Sequence, residues 1–180
     1  YSPGQGFSAL ANVHQRRTNG SARLFRANLI QKGTNKIVSG YDLDKIVTNA
    51  DNYQRLNTNG ASLRLSWDLG SLRLFSITGY EHVADYFSRG DIDGGTPTGP
   101  GVIPFQVQTG GYISDLDQVT QEFRVESQND GPLNWQAGLY FFDEDALGGS
   151  DNFNDAGART SRLVSKQKNE AWAAFTSVNY

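Results

Sequence analysis

The sequence predicts an all-β fold: an antiparallel meander of about five long strands, forming part of a large transmembrane β-barrel. Three observations predict it. Apolar and polar residues alternate with a period of two, the connections between the alternating runs are sorted by length, and tryptophans flank the short connections. In Ala61-Ser62-Leu63-Arg64-Leu65-Ser66-Trp67-Asp68-Leu69 every odd position is apolar and every even one polar, the mark of a strand with one oily and one wet face. In chain order the connections run long, short, long, short, long. A soluble sandwich has no reason to sort them so, whereas a membrane barrel carries short turns on one side and long loops on the other.

The elements follow in order. Gly70-Ser71 makes a tight turn, and Leu72 to about Ser88 reads as a second, longer strand. Its phase is mixed: Leu72 and Leu74 share one face, Phe75, Ile77 and Gly79 the other. That pattern fits either a bulge near Leu74 or a lower end covered on its inner face too. The face of Phe75 is taken as the outer one here, which puts Glu81 on it. A third strand runs from about Leu116 to Gln128, with Val119, Phe123 and Val125 opposite Thr120, Glu122, Arg124 and Glu126. Gln121 falls on its oily face, near the upper edge of a ~25 Å apolar band. Asn129-Asp130-Gly131-Pro132 is a turn, since Gly tolerates positive φ, Asp bonds its own backbone and Pro bars continuation of the ladder. The fourth strand places Leu133, Trp135, Ala137, Leu139 and Phe141 on one face. About Lys168 to Tyr180 is a fifth strand by composition, with both faces too apolar to assign. Arg89–Asp115 and Leu147–Gln167 read as long polar loops. Residues 1–55 read as an extracellular, loop-like region with a short strand at Ala22–Ile30, and residues 56–180 as barrel strands and loops.

Strand length and tryptophan placement agree with a membrane crossing. About thirteen residues at ~3.3 Å rise give about 43 Å, of which a tilt near 40° leaves roughly 33 Å along the normal. Trp67 precedes one short turn and Trp135 follows the other, both on the oily face, where an aromatic girdle belongs.

Composition removes several classes. The 180 residues are 37% hydrophobic and 19% charged, which excludes disorder by composition. The net charge of −3, without a long basic block, argues against nucleic acid as a partner. No apolar run approaches the ~18 residues of a membrane helix, which leaves a β-barrel open. The absence of cysteine excludes disulfides, thiol catalysis and Cys-ligated metal. With no methionine and no basic-then-apolar leader over Tyr1–Leu10, the chain is expected to be a mature piece or a fragment of something longer.

Gly60–Gly70 followed by Leu74-Phe75-Ser76-Ile77-Thr78-Gly79-Tyr80 resembles the barrel of TonB-dependent outer-membrane receptors of Gram-negative bacteria. So do Gln121-Glu122-Phe123-Arg124-Val125, the run Asp130–Phe141, and Ala171-Trp172-Ala173-Ala174-Phe175. The resemblance covers about Asn59–Asp145 and Asn169–Tyr180. It implies a barrel of about 22 strands with a plugged lumen, embedded in outer-membrane lipid. It also implies uptake of a scarce nutrient (an iron chelate such as a siderophore, cobalamin, or an oligosaccharide) driven by the TonB energising complex acting on the plug. No plug domain or coupling segment is recognisable in the sequence.

Candidate chemistry is sparse. No catalytic residue is expected: His14 and His82 are far apart, and neither a Gly-x-Ser-x-Gly elbow nor a His-Glu-x-x-His pair occurs. No cofactor is expected. Asp91-Ile92-Asp93-Gly94 has the opening of a calcium loop, but Val102 stands where the bidentate Glu is required, so Asp91 and Asp93 remain only a looser candidate pair. Asp143, Glu144, Asp145, Asp151 and Asp155 read as an acidic outer loop. Arg64, Asp68, Glu122, Arg124 and Glu126 are expected to face the lumen, pairing across strands or docking the plug. Phe105, Tyr112 and Phe153 are candidate aromatic platforms for a ligand in the outer loops. Two rivals predict differently. A soluble or surface β-sandwich binding module, lectin- or adhesin-like, predicts shorter strands packed on a second sheet, and a porin segment predicts no plug elsewhere in the gene.

Overall fold

The computed structural model describes residues 6–21, 26, 29–46, 48–49, 51–91, 108–128, 131–154 and 156–180. Six strands occur in it: β1 (Phe7–Gly20), β2 (Tyr53–Asp68), β3 (Leu72–Asp91), β4 (Gln108–Ser127), β5 (Asn134–Phe153) and β6 (Arg159–Asn179). They form a single sheet in the order β1-β2-β3-β4-β5-β6, every neighbour antiparallel, so the chain is an all-β meander. Among the described residues there is no second sheet for this one to pack on, and its two edges, β1 and β6, do not meet.

Antiparallel pairing places directly opposed residues on the same face, so the register settles which side chains stand together. One row crosses the sheet as Ala9, Leu65, Ser76, Phe123, Leu139 and Ala174. The next row towards the short turns is Phe7, Trp67, Leu74, Val125, Ala137 and Thr176. Leu63, Leu65, Trp67, Phe123, Val125, Trp135, Ala137 and Leu139 therefore share one face, as their alternation predicts. Arg64, Glu122, Arg124 and Gln136 share the other.

The turn at Leu69–Ser71 is shaped by Asp68, whose Oδ1 accepts from the Gly70 backbone N–H at 3.0 Å. Gly70 takes φ 86°, a conformation that a side chain disfavours. The β2–β3 and β4–β5 connections leave the sheet at one end and the β1–β2, β3–β4 and β5–β6 connections at the other; the last spans only residues 154–158, so the expected sorting by length fails for that connection.

Five sequence expectations need correction. β4 begins at Gln108 and not at about Leu116, so the last eight residues of Arg89–Asp115 are strand and not loop. Phe7–Gly20, inside the region read as loop-like, is a strand that pairs with β2 along its length. Its upper half is polar on both sides and shows no period, whereas Phe7, Ala9, Ala11 and Val13 alternate in its lower half, the one local signal of this strand. Leu147–Gln167 is not a long loop: β5 continues to Phe153 and β6 begins at Arg159, the intervening polar residues pairing as Gly148↔Ser165 and Asp151↔Arg162. No bulge occurs near Leu74. The register shifts instead opposite Asn57/Thr58, where β3 carries Ala84 as an extra residue, and between Ile113 and Asp115, where β4 carries Ser114. Finally, the outer face of β3 is that of Leu72, Leu74, Ser76, Thr78 and Tyr80, because Leu74 is opposite Trp67 and Val125. Phe75, Ile77 and Glu81 stand on the face of Arg64 and Glu122. Phe75 is covered there, the second of the two explanations open for its mixed phase.

Candidate functional site

The two faces of the sheet, rather than a cleft, carry the chemistry. On the first, five successive rows from Leu72–Trp135–Val178 up to Val13–Ala61–Tyr80–Val119 form an apolar band. Along β3 the band spans Leu72 to Tyr80, about 26 Å of strand at ~3.3 Å per residue, or about 20 Å along a normal inclined by ~40°. Trp67 and Trp135 stand in its two lowest rows. Trp172 and Tyr80 stand in its two highest. Trp67 meets Phe7 in a tilted contact with ring centroids 5.1 Å apart, and Trp172 meets Phe141 likewise at 4.4 Å. These side chains are not a core: Trp172 is 73% exposed and Leu139 58%. Among the described residues the one buried apolar side chain is Phe75, 6% exposed, on the opposite face.

Gln121 interrupts the band in the row of Thr78, Phe141 and Trp172, and its amide is fully engaged. Thr78 Oγ1 donates to its Oε1 at 2.6 Å and its Nε2 donates to Ser76 Oγ at 3.1 Å. A polar group so paired loses most of the penalty of facing an apolar medium. Above the band the same face turns polar, beginning with Asp143 and Glu170 and continuing with His82, Asp117, Asp145 and Lys168.

The second face gathers all five residues singled out by their alternation. Arg124 lies between its strand neighbours, its Nε 3.1 Å from Glu126 Oε1 and 3.6 Å from Glu122 Oε1. Asp68 accepts from Arg73 Nη2 at 3.1 Å and from Gln128 Nε2 at 3.0 Å. The guanidiniums of Arg64 and Arg124 both lie against Phe75, 5.0 and 4.8 Å from the ring centroid. Among the described residues Arg64 has no carboxylate within ion-pair distance, and with Ser8, Ser66, Arg73 and Phe75 it lines an open depression near the short-turn end. The role of Phe75 was not legible from its own strand. The signal lay in the partner strands, whose alternation puts Arg64 and Arg124 on one face.

The other candidates are scattered. Asp91 is buried, its Oδ2 accepting from Thr48 Oγ1 at 3.0 Å and from Asn49 N–H at 2.9 Å, so it ties residues 48–49 to the end of β3. Its proposed calcium partner Asp93 lies outside the described residues, as do Phe105 and Asp155. Tyr112 and Phe153 stand on the face of the apolar band, near the long-connection end, and each is covered by a cation. Arg162 lies 4.6 Å from the Tyr112 ring and Arg89 4.0 Å from that of Phe153. Arg162 also grips Asp151, 2% exposed, with two N–H donors at 2.8 Å each. Asp143, Glu144, Asp145 and Asp151 belong to β5 rather than to a loop. His14 and His82 stand on opposite faces, and His14 Nε2 lies 3.1 Å from Glu81. No family model, curated protein or solved structure matches the chain.

Proposed function

We propose that the chain is a membrane-spanning section of a TonB-dependent receptor barrel in the outer membrane of a Gram-negative bacterium. Its banded face lies in lipid and its charged face towards the lumen. One observation carries the reading: a continuous six-stranded sheet whose apolar side chains form a band bounded by aromatics at both edges, with no protein layer over it among the described residues. Contiguous exposed apolar surface of that extent marks contact with lipid or another macromolecule. A band of about 20 Å, girdled by Trp and Tyr, has the proportions of an outer-membrane wall.

The charged face fits the inside of such a wall. Its carboxylates and guanidiniums pair along and across strands, and Arg64, which has no ion pair among the described residues, is available to a carboxylate of an occluding plug. Six strands are fewer than the ~8 of the smallest closed barrels, so in this reading further strands complete the wall. The plug admits a scarce nutrient and moves when the TonB complex pulls on it. In this arrangement Tyr112 and Phe153 lie on the outer side, above the band.

Two measurements test this. In the full-length protein reconstituted with lipids brominated along the acyl chain, the emission of Trp67, Trp135 and Trp172 should be strongly quenched. Quenching by aqueous acrylamide alone would instead favour a soluble module. Nutrient uptake by cells carrying the receptor should stop when the energising complex is deleted, and uptake that continues unchanged would favour a porin.

A further inference from the structure

The geometry points to a divalent transition-metal site on the banded face, one to two rows above the apolar band, formed by His82, Asp115 and Asp117. His82 is opposite Asp117 in the β3–β4 ladder, and Asp115 follows two residues away on the same face. His82 Nδ1 lies 3.0 Å from Asp117 Oδ1 and 3.8 Å from Asp115 Oδ1, and one ligand atom of each residue falls within 4.8 Å of the other two. Ligands held about 2.0–2.2 Å from one ion are separated from each other by roughly 3–3.5 Å. Side-chain torsions alone can close the remaining gap.

The donor set identifies the class of ion. Calcium and magnesium take oxygen ligands, whereas one imidazole nitrogen with two carboxylates suits zinc, manganese, cobalt or nickel. Two further observations support a site rather than a chance meeting. Asp117 is oriented by Tyr80, whose hydroxyl donates at 2.6 Å to the same Oδ1 that faces His82, a contact that holds the carboxylate in place. Asp117 is also directly opposite Asp145 on β5, and both line one small cavity with Asp115, Leu147 and Lys166. Like charges opposed across a ladder repel. The Lys166 ammonium, 3.7 Å from Asp145, and Lys168, directly opposite Asp145 on β6, offset part of that repulsion. A dication between His82 and the two aspartates would neutralise the rest and tie β3 to β4 beside the bulges at Ala84 and Ser114. Its remaining coordination positions would open outwards. The site depends on the β3–β4 register and not on transport, so it stands or falls separately from the proposed function.

Cobalt binding to the full-length protein in detergent tests it, followed by visible absorption with zinc and calcium as competitors. One equivalent should bind and be displaced by zinc. His82→Ala and Asp117→Asn should each weaken it by at least about tenfold, and Asp115→Asn supplies a third variant should one of these fail to fold. His14→Ala, on the other face, should leave binding unchanged. Absence of saturable binding, binding unaffected by His82→Ala, or displacement by calcium as effective as by zinc would overturn the proposal.

Discussion

The Arg124 guanidinium lies 4.8 Å from the centroid of the Phe75 ring, and this contact joins the one buried apolar side chain among the described residues to the charged row of the sheet. With Arg64 also against the ring at 5.0 Å, Phe75 is packed between two cations on the charged face. Both guanidiniums lie over the ring, so the cation–π attraction adds to the burial of Phe75.

Phe75→Ala should therefore destabilise the protein by about 2–3 kcal/mol, from lost burial together with two cation–π contacts. Phe75→Leu should lose less, since it keeps much of the apolar volume. Denaturant midpoints of the two variants in detergent check this. An alanine variant as stable as the parent would show that the cluster contributes nothing.

Leu65 and Ser66 separate the two faces most sharply. Leu65 belongs to the middle of the five apolar rows, with Phe123 and Leu139. Leu65→Arg should cost roughly 2–4 kcal/mol, the penalty for a cation near the midplane on the lipid side of a barrel. Ser66→Arg, one residue along on the other face, should cost much less. Refolding of both variants of the full-length protein into lipid measures the difference, and equal penalties would mean that Leu65 does not face lipid.

Gln121 offers a test of polar pairing within the band. Gln121→Leu removes the partner of the Thr78 hydroxyl and of Ser76 Oγ, and should cost about 1–3 kcal/mol. Combining it with Thr78→Val and Ser76→Ala should recover most of the loss, because replacing every partner by apolar groups leaves nothing unsatisfied. Unfolding midpoints in lipid of the single and triple variants decide. A triple variant no better than the single one would refute the explanation.

Gly138 lies under the ring of Phe175, directly across the β5–β6 ladder. A Cβ there would meet that ring and also stand 2.8 Å from the Phe123 carbonyl oxygen. Gly138→Ala should destabilise by about 1–3 kcal/mol through overpacking. Adding Phe175→Ala should restore only part of this, since the backbone contact remains. Thermal unfolding of both variants is the measurement, and full restoration would place the whole strain in the ring.

The sequence by itself determined the fold class, the two short connections and the membership of the two faces over the lower parts of β2, β4 and β5. There Leu63, Leu65, Trp67, Phe123 and Val125 alternate with Arg64, Glu122 and Arg124, and alternation is a local property that one strand displays without its neighbours. Only the tertiary structure decided the rest. The upper parts of β1, β5 and β6, and the side of β3 that faces outward, all depend on pairing. Where both faces are polar, as at Gly148–Ser165, no periodicity distinguishes strand from loop. Where both are apolar, as at Leu74–Phe75, none says which side is which. The meeting of His82 with Asp117 likewise depends on the β3–β4 register, a relation between residues distant in sequence that ladder hydrogen bonds impose and no local pattern encodes.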